Sequence, residues 1–266
     1  MMRTSALLAF ALLASAPFRA VAETANVNGV DLHYSVRGTG EPLLLLHGFG
    51  GCAANWTSIA DELGQHYRLI LVDMRGHGQS TNPSNKFTHA QSADDIRALL
   101  DVLAIKQARA IGFSSGAMTL LHLATRAPDR LSKIVLVSAT THFPDQARAI
   151  IKSATMETIP PPVLQIYRDC ASRGDGQVRA LVDQFRAFGD DHEDMNFKPA
   201  DLAKIKASTL IVHGDRDEFF PVSIPVDMYR SIPDAKLWIV PGGTHSPTAD
   251  SPESFFVAEV ENFLRD

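Results

Sequence analysis

Short, uninterrupted apolar runs that each end in a small-residue turn constrain this chain more than any other feature. Leu43-Leu44-Leu45-Leu46 runs into His47-Gly48-Phe49-Gly50-Gly51, and Leu69-Ile70-Leu71-Val72 into Asp73-Met74-Arg75-Gly76-His77-Gly78. Ile134 to Val137 ends at Ser138-Ala139, Leu210 to Val212 at His213-Gly214-Asp215, and Leu237 to Val240 at Pro241-Gly242-Gly243. A strand that is apolar on both faces needs cover on both, the condition of a parallel sheet between helices. Helical spacing fills the gaps, over Asn55 to Leu63, Thr88 to Leu103, Ala117 to Arg126 and Glu253 to Leu264. The alternation predicts an α/β protein with a mostly parallel, twisted central sheet flanked by helices. Ahead of it, Glu23 to Gly38 alternates polar and apolar around Asn28-Gly29, which predicts a β-hairpin.

One run breaks in a chemically specific way. Ala110-Ile111-Gly112-Phe113-Ser114-Ser115-Gly116-Ala117 reads as strand, sharp turn and helix, with Gly-x-Ser-x-Gly at the turn. A serine at such an apex is forced out of the sheet above a helix N-terminus, and flanking glycines avoid a Cβ collision with neighbouring backbone. Ser114 is the candidate nucleophile. A serine nucleophile needs a base and a carboxylate to orient that base. Both types occur in loops after later strands: an acid within Asp215 to Asp217, then His245 in Pro241-Gly242-Gly243-Thr244-His245. The glycine-rich turn at His47 to Gly51 leaves backbone N–H groups at the same sheet edge, where a developing oxyanion can be bound.

Between Thr140 and Ser208 the alternation stops. Pro160-Pro161-Pro162 and helical stretches near Asp145 to Ser153, Val163 to Ser172 and Gln177 to Phe188 predict a helical lid inserted between two strands. The organisation is then a core over 23–139 and 209–266, a lid over 140–208 and a leader over 1–22. The leader has Arg3, an Ala/Leu/Phe run over Ala6 to Ala16 and the small-x-small site Ala20-Val21-Ala22, the pattern of an export signal. Its apolar run is shorter than the roughly 20 residues of a membrane span. A secreted or periplasmic protein is expected.

Charge argues against a nucleic-acid partner: 25 Lys and Arg against 30 Asp and Glu give a formal net charge of −5, without a basic run. An oxidising destination permits Cys52 and Cys170 to pair, but they sit in different regions and are expected as separate thiols. No Cys/His spacing suits zinc. Gly189-Asp190-Asp191-His192-Glu193-Asp194 lacks the order of a calcium loop and is expected as a solvated loop. His77, between glycines, is expected in a structural loop role, His47 as a stiffener of the oxyanion loop, and Asp250 as a cap before the last helix.

The segments LLLLHGFGG, LILVDMRGHGQS, AIGFSSGA, TLIVHGDRDEFFP and VPGGTHSP resemble the α/β-hydrolase family, in its lidded serine-esterase, perhydrolase and C–C hydrolase group. The order Ser, acid, His is that of the family. The resemblance implies Ser114 as nucleophile, His245 as general base and Asp217 as acid, with Asp215 in a turn role. It implies the backbone amides of Phe49 and Ser115 as oxyanion hole, and neither metal nor cofactor. Two positions depart from the pattern: Ala117 where many relatives have glycine, and Ser246 where some C–C hydrolases have tryptophan. The resulting expectation is an exported esterase for medium-sized, largely uncharged and apolar small-molecule esters. Phe143, Phe185, Phe188, Phe219 and Phe220 are available to line its pocket. Lactone hydrolysis, peracid formation, C–C cleavage and a non-catalytic receptor pocket are the alternatives.

Overall fold

The computed structural model describes residues 21–247 and 253–265. All but the last two residues of the expected export segment lie outside that range, as does Asp250. The predicted hairpin is present, with β1 (Val21–Val27) antiparallel to β2 (Val30–Arg37). Both turn residues take positive φ, 46° at Asn28 and 78° at Gly29, the type I′ combination whose twist suits paired strands.

β3 (Glu41–Leu46), β4 (Tyr67–Val72), β5 (Ala108–Phe113), β6 (Leu131–Val137), β7 (Ser208–Gly214) and β8 (Ala235–Val240) complete one eight-stranded sheet. Its order is β1-β2-β4-β3-β5-β6-β7-β8, and all pairs beyond the β1/β2 and β2/β4 contacts are parallel. The chain moves outward from β3 to β4 and then crosses to β5 on the other side of β3. The ends of β3 and β5 therefore border the crevice where open α/β sheets bind ligands.

The helices are α1 (Thr57–Leu63), α2 (His89–Val102), α3 (Ser115–Arg126), α4 (Asp145–Ser153), α5 (Pro161–Cys170), α6 (Asp175–Ala187), α7 (Pro199–Leu202), α8 (Ser223–Ser231) and α9 (Glu253–Arg265). The four leucines of β3 show why both faces need cover. Leu43 and Leu45 pack with Ile59 and Leu63 of α1 and with Val260 and Leu264 of α9. Leu44 and Leu46 face the opposite layer, with Ile96 and Leu99 of α2, Leu120 of α3 and Met228 of α8. Burying one such side chain is worth about 1.5–3 kcal/mol, so truncation in either layer is costly. The sequence reading assigns no helix to Ser223–Ser231, where Pro225 in the first turn masks α8.

The insert consists of α4 to α7 between β6 and β7, with its own small core of Ile159, Leu164, Tyr167, Val178, Leu181 and Val182. Two expectations here require correction. Cys52 and Cys170 are not separate thiols: they form a disulfide, with Cα atoms 5.5 Å apart across 118 residues of sequence. The end of α5 folds back over the turn after β3, and both half-cystines are buried there. The run Gly189 to Asp194 is only partly solvated. Asp190, His192 and Glu193 are exposed, but Asp194 is buried and accepts hydrogen bonds from the first amides of α2.

Candidate active site

Ser114 sits between β5 and α3 with φ 50° and ψ −116°, a conformation that costs a non-glycine residue about 1–3 kcal/mol. The neighbours hold it there: its N–H donates to the Val137 carbonyl at 2.8 Å, and its own carbonyl accepts from Met118. Gly112 and Gly116 are required by close approach. A Cβ on Gly112 would lie 2.6 Å from the Ala117 nitrogen, and one on Gly116 would overlap the Leu46 carbonyl of β3. The strand, turn and helix read from the sequence are thus present, with the glycines in the roles assigned to them.

His245, after β8, brings Nε2 to 3.0 Å from Ser114 Oγ and Nδ1 to 2.9 Å from Asp217 Oδ2. Burial pushes the Asp217 carboxyl up, but the His245 hydrogen bond and charge and the amides of Phe220 and Phe219 outweigh it and hold the group below its ordinary value. Asp217 is therefore a carboxylate at neutral pH. Nδ1 of His245 must carry the proton that Asp217 accepts; in the neutral imidazole this leaves the Nε2 lone pair facing the Ser114 hydroxyl. Asp215 makes a different contact, accepting the Gly242 N–H at 2.6 Å, as its turn role requires.

Three supports were not read from the sequence. Ser138, directly after β6 and at φ 52°, donates its hydroxyl to the His245 carbonyl at 2.7 Å. The His245 N–H donates to Glu218 Oε2 at 3.1 Å, so the imidazole's backbone is held from both sides. His213 lies behind the acid, 3.6 Å from Asp217 Oδ2, and bonds the Phe220 carbonyl at 2.9 Å through Nε2. Burial lowers its pKa and keeps it neutral. Ser138 and His213 follow apolar runs at the Ser114 edge, so their position is legible in the sequence, whereas their bonding depends on loops far apart in the chain.

The turn after β3 abuts the elbow: a Cβ on Gly48 would lie 3.5 Å from Ser114 Cβ. His47 braces this turn, with Nδ1 2.7 Å from the Gly48 carbonyl and Nε2 accepting the Met74 N–H at 3.0 Å; burial lowers its pKa. Among the described residues neither the Phe49 nor the Ser115 amide is engaged by a backbone acceptor. His77 is structural, as expected. It is buried, bonds the Arg75 carbonyl at 3.0 Å and packs edge-on against Phe49, and burial lowers its pKa far enough to keep it neutral.

Above Ser114 lies a cavity of about 560 Å³. Phe143, Phe185, Phe188, Phe219 and Phe220 all line it, and several of them also pack against one another. Ile151, Ile159, Val163 and Ile166 of the insert add to its apolar wall. Among the described lining residues there is no Lys, Arg or Asp, and Glu218 is the one carboxylate. The described residues hold no group of three or more His, Cys, Asp or Glu able to bind a metal ion.

A serine elbow at the crossover of a mostly parallel sheet, with histidine and acid on later strand ends, is the arrangement that α/β-hydrolase sites have. Residues 41–162 match the family model of the alpha/beta hydrolase fold. A pimeloyl-[acyl-carrier protein] methyl ester esterase of Vibrio vulnificus (strain YJ016) is 28% identical over 257 residues, covering 85% of this chain and 95% of that protein. The crystal structure of a hydrolase from Pseudomonas aeruginosa PA01 superposes with a TM-score of 0.74 at 25% identity, covering 91% of this chain and 98% of the other. An enol-lactonase from Burkholderia xenovorans LB400 gives 0.73 at 23% identity over 92% and 100%, a likeness of fold. The chain has the α/β-hydrolase fold.

Proposed function

We propose that the protein is an exported serine esterase acting on uncharged, largely apolar carboxylic esters. The observation that carries the reading is the hydrogen-bonded series Ser114, His245, Asp217 at the floor of an apolar cavity. Ser114 Oγ attacks the ester carbonyl while His245 Nε2 takes its proton, and the imidazolium formed is stabilised by Asp217. The amides of Phe49 and Ser115 stabilise the tetrahedral oxyanion. His245 then returns the proton to the leaving alkoxide. Water, deprotonated by the same nitrogen, attacks the acyl carbonyl, and His245 returns that proton to Ser114 Oγ as the acid leaves.

The Vibrio relative's name, an esterase for a methyl ester, supports the ester bond as the one cleaved. The cavity supports the substrate class, since among the described lining residues no Lys or Arg could pair with a substrate carboxylate and Glu218 would repel one. The insert serves as the lid that selects the acyl group. Export is supported by the N-terminal pattern and by the disulfide, which persists in oxidising compartments. An ester-library screen of the chain beginning at Glu23, with Ser114→Ala as blank, tests the reading. Turnover of neutral esters lost in the variant supports it; turnover retained by Ser114→Ala refutes it.

A further inference from the structure

We propose that His89 and Asp194 are positioning residues for the oxyanion amide of Ser115, acting through the Ser115 hydroxyl. The proposal rests on the reading of that amide as an oxyanion donor. Ser115 is the first residue of α3, and Ser114, in its strained conformation, supplies no side-chain cap to that helix. The amides at this terminus are thus free to face a ligand, and their aim depends on tertiary contacts. Ser115 Oγ makes one such contact, 3.1 Å from Nε2 of His89. His89 Nδ1 in turn lies 2.6 Å from Asp194 Oδ2. The series Asp194, His89, Ser115 repeats the residue types of Asp217, His245, Ser114 one residue further along the chain.

The direction of the Asp194–His89 hydrogen bond follows from the charge of Asp194. Burial pushes its carboxyl up, but the hydrogen bond and charge of His89, with the amides of Ala90 and His89, outweigh burial and bring it to about 2. A carboxylate accepts only, so His89 Nδ1 holds a proton, and Nε2 lies at hydrogen-bond distance from the Ser115 hydroxyl. The neighbouring imidazole does not compete: burial lowers His122 to about 4, which leaves it neutral beside Asp194 Oδ1 at 3.5 Å. His89 itself is fully buried, with its ring 5.0 Å from that of Phe188 and 5.4 Å from that of Phe87. It has no path to exchange protons with substrate, so it fixes the serine hydroxyl and does not activate it.

The Asp194 end of the series is anchored. Asp194 also accepts the His89 and Ala90 amides at 2.7 and 3.0 Å, and Thr88 caps the same helix end through Gln91 N–H at 3.1 Å. An ionised carboxylate brought 105 residues to a buried site is a costly way to fill space; what it adds over an apolar side chain is direction. Here that direction links the insert to the first turn of α3 and to the amide that faces the oxyanion.

The test compares Ser115→Ala, His89→Ala, their double variant and His89→Gln by ester kinetics, with rates referred to the folded fraction. Each single alanine variant is expected to lower kcat about ten- to hundredfold, less than the about 10²–10³ typical of deleting an oxyanion donor, with KM nearly unchanged. The double variant should fall no further than the worse single, because one series is broken in either case. His89→Gln, whose amide oxygen approaches the position of Nε2, should recover part of the rate. Affinity for a trifluoromethyl ketone, which forms a tetrahedral adduct, should fall in step with kcat/KM, while affinity for the product acid holds.

Asp95→Asn breaks another buried ion pair, with Arg75, and serves as control: it should lower the melting temperature without moving kcat. If His89→Ala does not fold, Ser115→Ala and His89→Gln carry the comparison. Unchanged kcat in Ser115→Ala, additive losses, or ketone affinity that ignores the substitutions would each overturn the proposal. Those results with Ser114-dependent turnover intact remove the positioning role alone. A wild-type protein without such turnover removes the esterase reading and this proposal together.

Discussion

Breaking the Cys52–Cys170 bond perturbs a link whose energetic weight follows from its place in the chain. The bond closes a loop of 118 residues that holds β4, α2, the elbow, β6 and the first part of the insert. In the chain-entropy treatment, ΔS is about −2.1 − 1.5R ln n, which for this loop amounts to about 5 kcal/mol at 25 °C taken from the unfolded state. An unfolding entropy of about 2.1 cal/mol/K per residue gives roughly 0.56 kcal/mol/K for the whole chain, so the midpoint should fall by about 9 °C. The effect acts on the unfolded ensemble, whereas the folded insert keeps its second anchor at Asp194 and its packing of Tyr167 and Phe49. Ester turnover by the folded protein should therefore change less than threefold by the same reasoning. Calorimetry of the oxidised protein beside the Cys52→Ala/Cys170→Ala double variant measures the shift, and thiol titration in denaturant counts the cysteines. A midpoint within about 2 °C of wild type would refute the loop-closure argument. Free thiols in the unreduced protein would refute the bond.

Four further outcomes are expected. Ser114→Ala should remove ester hydrolysis and leave the fold intact, while Ser114→Gly, equally inactive, should melt higher because it relieves the positive φ, a gain of about 1 kcal/mol. Asp217→Asn should cost kcat about 10⁴-fold by stabilising the wrong His245 tautomer, and Asp215→Asn less than tenfold; equal losses would disprove the assignment of the acid. Asp194 is held at about 2 against an ordinary 3.8, a depressed carboxyl, so its contribution is present above about pH 4 and lost as pH falls toward 2. The shift corresponds to about 2 kcal/mol, and the stability gap between wild type and Asp194→Asn, followed by urea unfolding, should close over that window. A gap independent of pH would contradict it. Finally, a neutral hexanoate ester should be turned over at least about a hundredfold faster than the half-ester of the matching diacid, whose carboxylate would enter a cavity with no Lys or Arg among its described lining residues; comparable kcat/KM values would count against the substrate class.

The elbow was legible because everything it needs is local. Gly112 and Gly116 are spaced by the contacts of one turn, and the apolar run before and the helix after Ser114 carry their own patterns. His245 and the Asp215 to Asp217 loop could be placed at the same edge because a parallel sheet puts all its strand ends there. The choice between Asp215 and Asp217 came from family likeness, and the contacts of each with His245 and Gly242 follow from loop geometry that no spacing specifies. Ser138, Glu218 and His213 were missed for the same reason: each bonds a partner on another loop or another turn, through one polar atom that leaves no periodicity.

Order along the chain determined the sheet, the elbow and the succession of serine, acid and histidine, since hydrophobic periodicity and turn chemistry act over a few residues. Only the tertiary structure decided what the insert does to them. Cys52 meets Cys170 across 118 residues, and Asp194, one of four acids in a stretch that reads as solvated, becomes the buried partner of His89. Whether a thiol is paired or a carboxylate buried depends on which surface folds back over it, and the fold of a helical insert on a sheet edge is set by packing between distant segments.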